Sequence, residues 1–176
     1  MTEIPNVTTE RLTLRAWKPS DLEPYTVMNS DAETMRYMDG TFGAEHTERL
    51  VKHLMEMWPH RGFGMWALEL RDSGEFVGRA GLYEDTGWPG VEVAWSVRRD
   101  LWNRGLATEA GAAAIRWGWK NLPVDHLITL PGTDNIASRR VAEKLGFRLE
   151  TVGIEVGPWA DQALYRLDRP SVGRNP

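Results

Sequence analysis

Apolar positions along this chain alternate between the two-residue period of a strand and the 3.6-residue period of a helix. Thr9 to Trp17 reads as a strand with Leu12 and Leu14 on one face. Pro19-Ser20-Asp21-Leu22-Glu23 predicts a helix start, with Ser20 and Glu23 placed as a capping box and the helix running to about Ser30. A second helix fits Ala44 to Trp58, stopped by Pro59. Gly64 to Arg71 and Glu75 to Tyr83 read as two strands joined at Asp72-Ser73-Gly74, a hairpin signal; Glu84 to Gly90 is a loop, and Val91 to Val97 a third strand of the meander. Then follow a long Ala-rich helix from Gly105 to Lys120, a short strand from His126 to Leu130, and a helix from Asn135 to Leu145 closed by Gly146. Phe147 to Gly153 and Gln162 to Leu167 are closing strands. The polar segment 169–176, with two prolines, is expected to fray. The pattern predicts one α/β (α+β) domain over residues 1–168, built on a single central sheet.

A length of 176 residues suits one domain with a sizeable core. The absence of Cys excludes disulfides, thiolate nucleophiles and cysteine-based metal centres, and fits a cytoplasmic location. No apolar run reaches the ~18–20 residues of a membrane span, and the N-terminus lacks the basic and apolar regions of a signal peptide. His46, His53 and His60 are seven apart, ~10.5 Å along a helix, too far for one metal, so surface histidines are expected and no metal site. Gly62-Phe63-Gly64-Met65-Trp66-Ala67 matches a relaxed dinucleotide fingerprint but precedes a strand rather than a helix, and is set aside. Nine Trp are explained by core packing plus a few pocket walls; a nucleic-acid stacking platform would want those rings among basic residues.

The net charge of −4 is unevenly spread: −6 over residues 1–91, +3 over 92–148 and −1 over 149–176. An acidic protein with one basic stretch holds either a chance cluster on solvated helix faces or a site for a polyanion. Within that stretch, Val91 to Ala110 runs from a strand through a basic turn to a helix opening at Gly105-Leu106-Ala107. A helix start presents unpaired N–H groups and the positive end of its dipole, and small residues admit a phosphate; Arg99 and Arg104 add charge. An ordinary tight bend at Gly105 reads equally well from spacing alone.

Trp102-Asn103-Arg104-Gly105-Leu106-Ala107-Thr108-Glu109-Ala110 resembles the pyrophosphate loop of the GNAT N-acetyltransferases, Q/R-x-x-G-x-G/A, with Trp102 in the first position as in the RimJ/RimL branch. Asn135 to Phe147 resembles that branch's N-x-x-S-x-x-x-x-E-K-x-G-F helix, and Thr9-Glu10-Arg11-Leu12-Thr13-Leu14-Arg15 its first strand. The resemblance implies a mixed, mostly antiparallel sheet of about seven strands with about four helices. Its fourth and fifth strands, here Val91–Val97 and His126–Leu130, splay to admit the pantetheine arm of acetyl-CoA. It further implies that backbone N–H groups of Asn103, Arg104, Gly105, Leu106, Ala107 and Thr108 hold the pyrophosphate, with Arg99 beside them. Val97 would pair with the pantetheine amide, Asn135 contact the arm and Arg139 reach an adenosine phosphate.

Acetyl transfer to an amine requires a base for the amine, a polarised carbonyl and a proton for the thiolate. Glu92 stands at the position that supplies a base in some relatives; a salt-bridged strand residue is the plain alternative. The Tyr acid of many relatives is replaced by Ala142, leaving Ser138 as the donor that the branch suggests, or else a packing hydroxyl. The expected function is acetyl-CoA-dependent N-acetylation of a small-molecule amine or a protein N-terminus by a monomer or homodimer, with no nucleic-acid or membrane partner. A non-catalytic acyl-CoA-binding module and a nucleic-acid- or peptide-binding domain remain as alternatives. Asp31, Glu33, Asp39, Glu84, Asp85, Glu155 and Asp161, with Trp88 and Trp159, suggest an acidic, aromatic mouth for a cationic acceptor.

Overall fold

A computed structural model describes residues 3–38 and 40–171. The strands are β1 (Val7–Thr8), β2 (Leu12–Arg15), β3 (Met65–Leu70), β4 (Phe76–Tyr83), β5 (Glu92–Val97), β6 (His126–Thr129), β7 (Arg148–Val156) and β8 (Trp159–Asp168). The helices are α1 (Leu22–Ser30), α2 (Ala44–Arg61), α3 (Leu106–Asn121) and α4 (Ile136–Lys144). All eight strands form one sheet in the order β1-β2-β3-β4-β5-β6-β8-β7, one strand more than expected because Val7–Thr8 pairs with β2. Every strand pair is antiparallel except β5 with β6.

Leu12 and Leu14 are fully buried, as their alternation requires. The β3–β4 hairpin turns where expected: Gly74, at φ 71°, donates its N–H to the Leu70 carbonyl. Two helix ends differ from the sequence rules. Ser20 and Glu23 form no capping box at α1, which has no side-chain cap; the capping contact lies in the 3-10 turn Pro19–Asp21 ahead of it, where the Asp21 carboxylate accepts the Lys18 N–H at 2.8 Å. Asp21 is buried against Arg15 through paired bonds of 2.7 and 2.8 Å, which orients it for the cap; Arg15 also reaches Glu69. Helix α2 continues through Pro59 to Arg61 and ends at Gly62, φ 76°. So near the C-terminus Pro59 removes one hydrogen bond without breaking the last turn.

The core is shared by the sheet and helices. Trp58 of α2, Trp66 of β3 and Trp117 of α3 meet edge to face, with centroids 4.8 to 5.5 Å apart, the packing expected of most of the tryptophans. Gly111 and Gly118 let α3 approach its neighbours: a Cβ at Gly118 would meet Leu82 at 3.2 Å. Arg169 donates to the Trp119 and Leu122 carbonyls and lies over the Trp119 ring, so it is tied to the end of α3; residues 172–176 of the expected frayed tail lie outside the described residues.

The feature that positions the site is the β5–β6 junction. These parallel strands touch at one pair, Glu92 with Ile128, where the Ile128 N–H bonds the Val91 carbonyl at 3.0 Å. Beyond it the strands diverge. Strand alternation directs the backbone groups of Trp95 and Val97 into the resulting gap.

Candidate active site

The gap in the sheet leads on one side to the start of α3. Gly105 is its N-cap at φ 78°, a left-handed conformation that favours glycine, and no side chain caps the helix. The N–H groups of Leu106, Ala107 and Thr108 therefore lack intrahelical acceptors. The first-turn acid that would compete for an anion, Glu109, is turned away: it accepts from Thr9 Oγ1 at 2.6 Å, from the Arg11 N–H at 2.8 Å and from Arg11 Nε at 2.7 Å, which holds its pKa below the usual carboxylate range. Arg11 also donates to the Arg104 carbonyl at 2.7 Å. The loop is thus clamped from β2's side, a contact that the sequence reading did not foresee although it singled out the Thr9–Arg15 segment. Asn103 is left-handed, φ 61°, and Arg104 is exposed. Arg99 forms a 3.4 Å ion pair with Asp31 of the opposite flank. The Val97 carbonyl accepts the Trp102 indole N–H at 2.7 Å, which ties the loop to the open edge of β5.

On the other side lies a cavity of about 280 Å³ whose wall includes Tyr37, Phe42, His46, Tyr83, Trp88, Trp95 and Trp159. His46 stacks on Phe42 with centroids 3.9 Å apart, so it is a wall residue at the cavity as well as an exposed one. Glu92, Ser138, Asn135 and Arg79 line the same space. Glu92 keeps some accessible area because it faces the cavity, but its surroundings exclude most of its hydration. Desolvation pushes its carboxyl up to about 7, against the opposing effects of the Trp88 indole N–H at 2.9 Å, the Arg79 charge and the Leu130 backbone N–H. A carboxyl poised there exchanges protons near neutral pH. Tyr83 is pushed up to about 12 by burial and by Asp85, which accepts its hydroxyl at 3.3 Å.

The structure brings Glu92, Asn135 and Ser138 to one cavity, and Asn103 to Thr108 to one helix start. Asn135 caps α4, accepting the Ser138 N–H at 3.1 Å. Ala142 is fully buried in the core. Arg139 is turned inward: it donates to the Tyr165 hydroxyl and to the Thr133 carbonyl, each at 2.9 Å, so a phosphate could use only its remaining donors. The acidic mouth does not form from the acids of the described residues. Asp31 is held by Thr34 and Arg99, Glu33 by Arg36, Glu84 by Arg61, Asp85 by the Tyr83 hydroxyl and Asp161 by the Thr133 hydroxyl; neither these nor Glu155 line the cavity, and Asp39 lies outside the described residues. Trp88 and Trp159 do line it. The cation in the wall, Arg79, was missed; the signal was its strand phase, shared with Tyr83.

A free helix start without a competing acid, an open strand edge and a cavity-facing carboxyl thus lie around one break in the sheet. The residues present fit acetyl-CoA: donors for its diphosphate at α3, and backbone groups of Trp95 and Val97 for its amide arm. Comparison with known proteins shows the family. The model of the acetyltransferase (GNAT) domain family matches residues 11–148, and the chain belongs to that family. Over 167 residues it is 28% identical to the uncharacterized N-acetyltransferase YnaD of Bacillus subtilis (strain 168), covering 92% of this chain and 96% of that one. An acetyltransferase from Agrobacterium tumefaciens superimposes with a TM-score of 0.85 at 25% identity, over 96% of this chain and 97% of the other. The fold is also that of RimL, a ribosomal L7/L12 alpha-N-protein acetyltransferase solved in complex with coenzyme A (TM-score 0.77, 16% identity, covering 93% and 98%). The protein is an acetyltransferase that uses acetyl-CoA. Among the described residues no helix is long and apolar enough to cross a membrane.

Proposed function

We propose that this enzyme acetylates a primary amine, on a small molecule or a peptide N-terminus, by direct attack with Glu92 as general base. The observation that carries the reading is Glu92 itself: a cavity-facing carboxyl raised to about 7, next to the point where β5 and β6 part. Acetyl-CoA, when bound, supplies the thioester carbonyl that the amine attacks and the sulfur that leaves.

The chain's own residues do the rest. Glu92 takes the proton that the amine gives up as its nitrogen bonds to the acetyl carbon, and a base whose pKa lies near the working pH suits that exchange. Trp88 fixes the carboxylate through its indole N–H. The N–H groups from Asn103 to Thr108, with Arg99 and Arg104, bind the diphosphate; Val97 and Asn135 orient the arm, and Arg139 lends charge nearby. Ser138 supplies a hydrogen bond to the departing sulfur from the first turn of α4. The aromatic wall excludes water from the reacting amine.

The test is Glu92→Gln assayed by thiol release across a panel of amines. A loss of roughly 10²–10⁴ in kcat with unchanged acetyl-CoA affinity is expected. A loss below threefold at every pH would remove Glu92 from the reaction.

A further inference from the structure

The pairing of β4 with β5 sets Arg79 opposite Ser96, Gly81 opposite Ala94 and Tyr83 opposite Glu92. Opposed residues of an antiparallel pair share a face, so these three rows stand side by side under the cavity. The middle row is Gly81 and Ala94. Little side-chain bulk therefore separates Arg79 at one end from Glu92 at the other, and both line the cavity.

Among the described residues Arg79 has no hydrogen-bonded or ion-paired partner. Its Nε is buried without a hydrogen bond, and its guanidinium forms no ion pair with a carboxylate of the described residues, Glu92 included. The other core arginine, Arg15, shows how this fold satisfies such a group, with carboxylates on two sides. A half-buried guanidinium whose Nε has no acceptor is costly, and one facing a substrate cavity is satisfied by what enters it.

We propose that Arg79 reads a carboxylate on the acceptor, and that the acceptor is a free α-amino acid whose apolar or aromatic side chain lies on the tryptophan wall. This rests on the amine-acetylating reading above. The rows of Arg79 and Glu92 are ~13 Å apart at four residues of strand rise. An α-amino acid with a hydrogen bond of ~2.9 Å at each end spans ~9 Å, which the two side chains bracket by leaning inward. Arg79 and Glu92 already feel each other's charge. A zwitterion sets its ammonium on Glu92 and its carboxylate on Arg79, neutralising both. A planar guanidinium suits a carboxylate bidentately. A peptide N-terminus offers Arg79 only a neutral carbonyl, and a simple amine offers it nothing. The acceptor is then recognised as a zwitterion, not as the cation that an acidic mouth would favour.

The experiment compares sets matched in side chain with acetyl-CoA at saturation: phenylalanine, tryptophan, methionine and leucine; their carboxamides; the decarboxylated amines; and tripeptides beginning with the same residues. At least one free amino acid should exceed its amine and carboxamide by about 10²-fold in kcat/KM, the cost of leaving a buried charged donor unpaired. Because Arg79 also pulls on the Glu92 carboxyl, Arg79→Met is read as a ratio: kcat/KM for that amino acid relative to its decarboxylated amine should fall about 10²-fold, whatever change the two acceptors share. Its acetyl-CoA affinity and melting temperature should hold, because the side chain supports no contact of the fold. Arg79→Lys, which keeps the charge but loses the fork, should fall between. A preference for tripeptides or amines, or an Arg79→Met loss equal for all acceptors, overturns the proposal while leaving amine acetylation standing. Bound acetyl-CoA with no turnover of any amine would instead overturn the amine-acetylating reading.

Discussion

If Glu92 sits in the folded protein with a carboxyl raised to about 7, the active site works against stability, and the amount can be calculated. The unfolded chain ionises Glu92 near 4.5. A folded pKa above the unfolded one means that the native state holds the proton more tightly. The associated stability is fully present below about 4.5 and is lost as pH rises through about 7. With 1.36 kcal/mol per pKa unit, the full shift of ~2.5 units is worth about 3 kcal/mol. Most of the loss, about 2.5 kcal/mol, falls between pH 5 and pH 9. Glu92→Gln removes the titration and keeps an oxygen for the Trp88 indole N–H. The difference in unfolding free energy, variant minus wild type, should therefore grow by about 2.5 kcal/mol from pH 5 to pH 9, a relative gain of roughly 5–10 °C in Tm for a chain of this size. Urea unfolding of both proteins at matched pH values gives the difference directly, since all other titrating groups cancel. A flat difference, or one of opposite slope, would show that Glu92 ionises normally and has no special claim as the base.

Trp88→Phe removes the neighbour that most favours the Glu92 carboxylate, so the rise of kcat/KM with pH should move up by about one unit; an unmoved inflection would break the link between the two. Gly105→Glu places a strained residue and a like charge at the start of α3, and acetyl-CoA binding by calorimetry should fall at least 100-fold while the far-UV spectrum is unchanged. Glu109→Ala releases the Arg11 clamp on the Arg104 carbonyl, which should raise KM for acetyl-CoA about 3–10-fold at nearly constant kcat. Asp21→Ala leaves Arg15 buried with only Glu69 and removes the acceptor of the Lys18 N–H in the turn before α1, so denaturant unfolding should show a loss of about 3–5 kcal/mol.

What the sequence made legible follows a physical boundary. Features set by near neighbours could be read: the buried Leu12 and Leu14, the Gly74 turn, Asn135 capping α4, and the helix opening at Gly105. Features set by partners far along the chain could not. Arg11 clamps a loop more than ninety residues away, at Arg104 and Glu109. Pro59 obeys its local rule only where the helix needs more turns after it, and α2 does not. The acidic mouth failed for the same reason. Each acid was counted as a free charge, yet Glu84 meets Arg61 and Asp31 meets Arg99, both across the fold. Arg79 is the converse: between Gly78 and Ala80 it looks like a solvated strand arginine, and only its register with Ser96 sets it under the cavity.

The two charges of the cavity also explain why the carboxyl proposed as the base is raised only to about 7. Desolvation alone would drive the Glu92 carboxyl higher, out of the range in which it could be ionised at neutral pH; the Trp88 N–H, the Leu130 N–H and Arg79 pull it back. Strand parting is what lets these act together. Because β5 and β6 pair only at Glu92 and Ile128, the backbone groups beyond that pair are left without strand partners on one side, while the carboxyl at the junction faces the cavity on the other. On the mechanism proposed above, extending the pairing toward Val97 would narrow the gap through which an acyl group reaches Glu92. The break in the sheet, a loss of hydrogen bonds that a purely structural fold would avoid, is on that mechanism the element that joins an anion site at the start of α3 to the acceptor cavity.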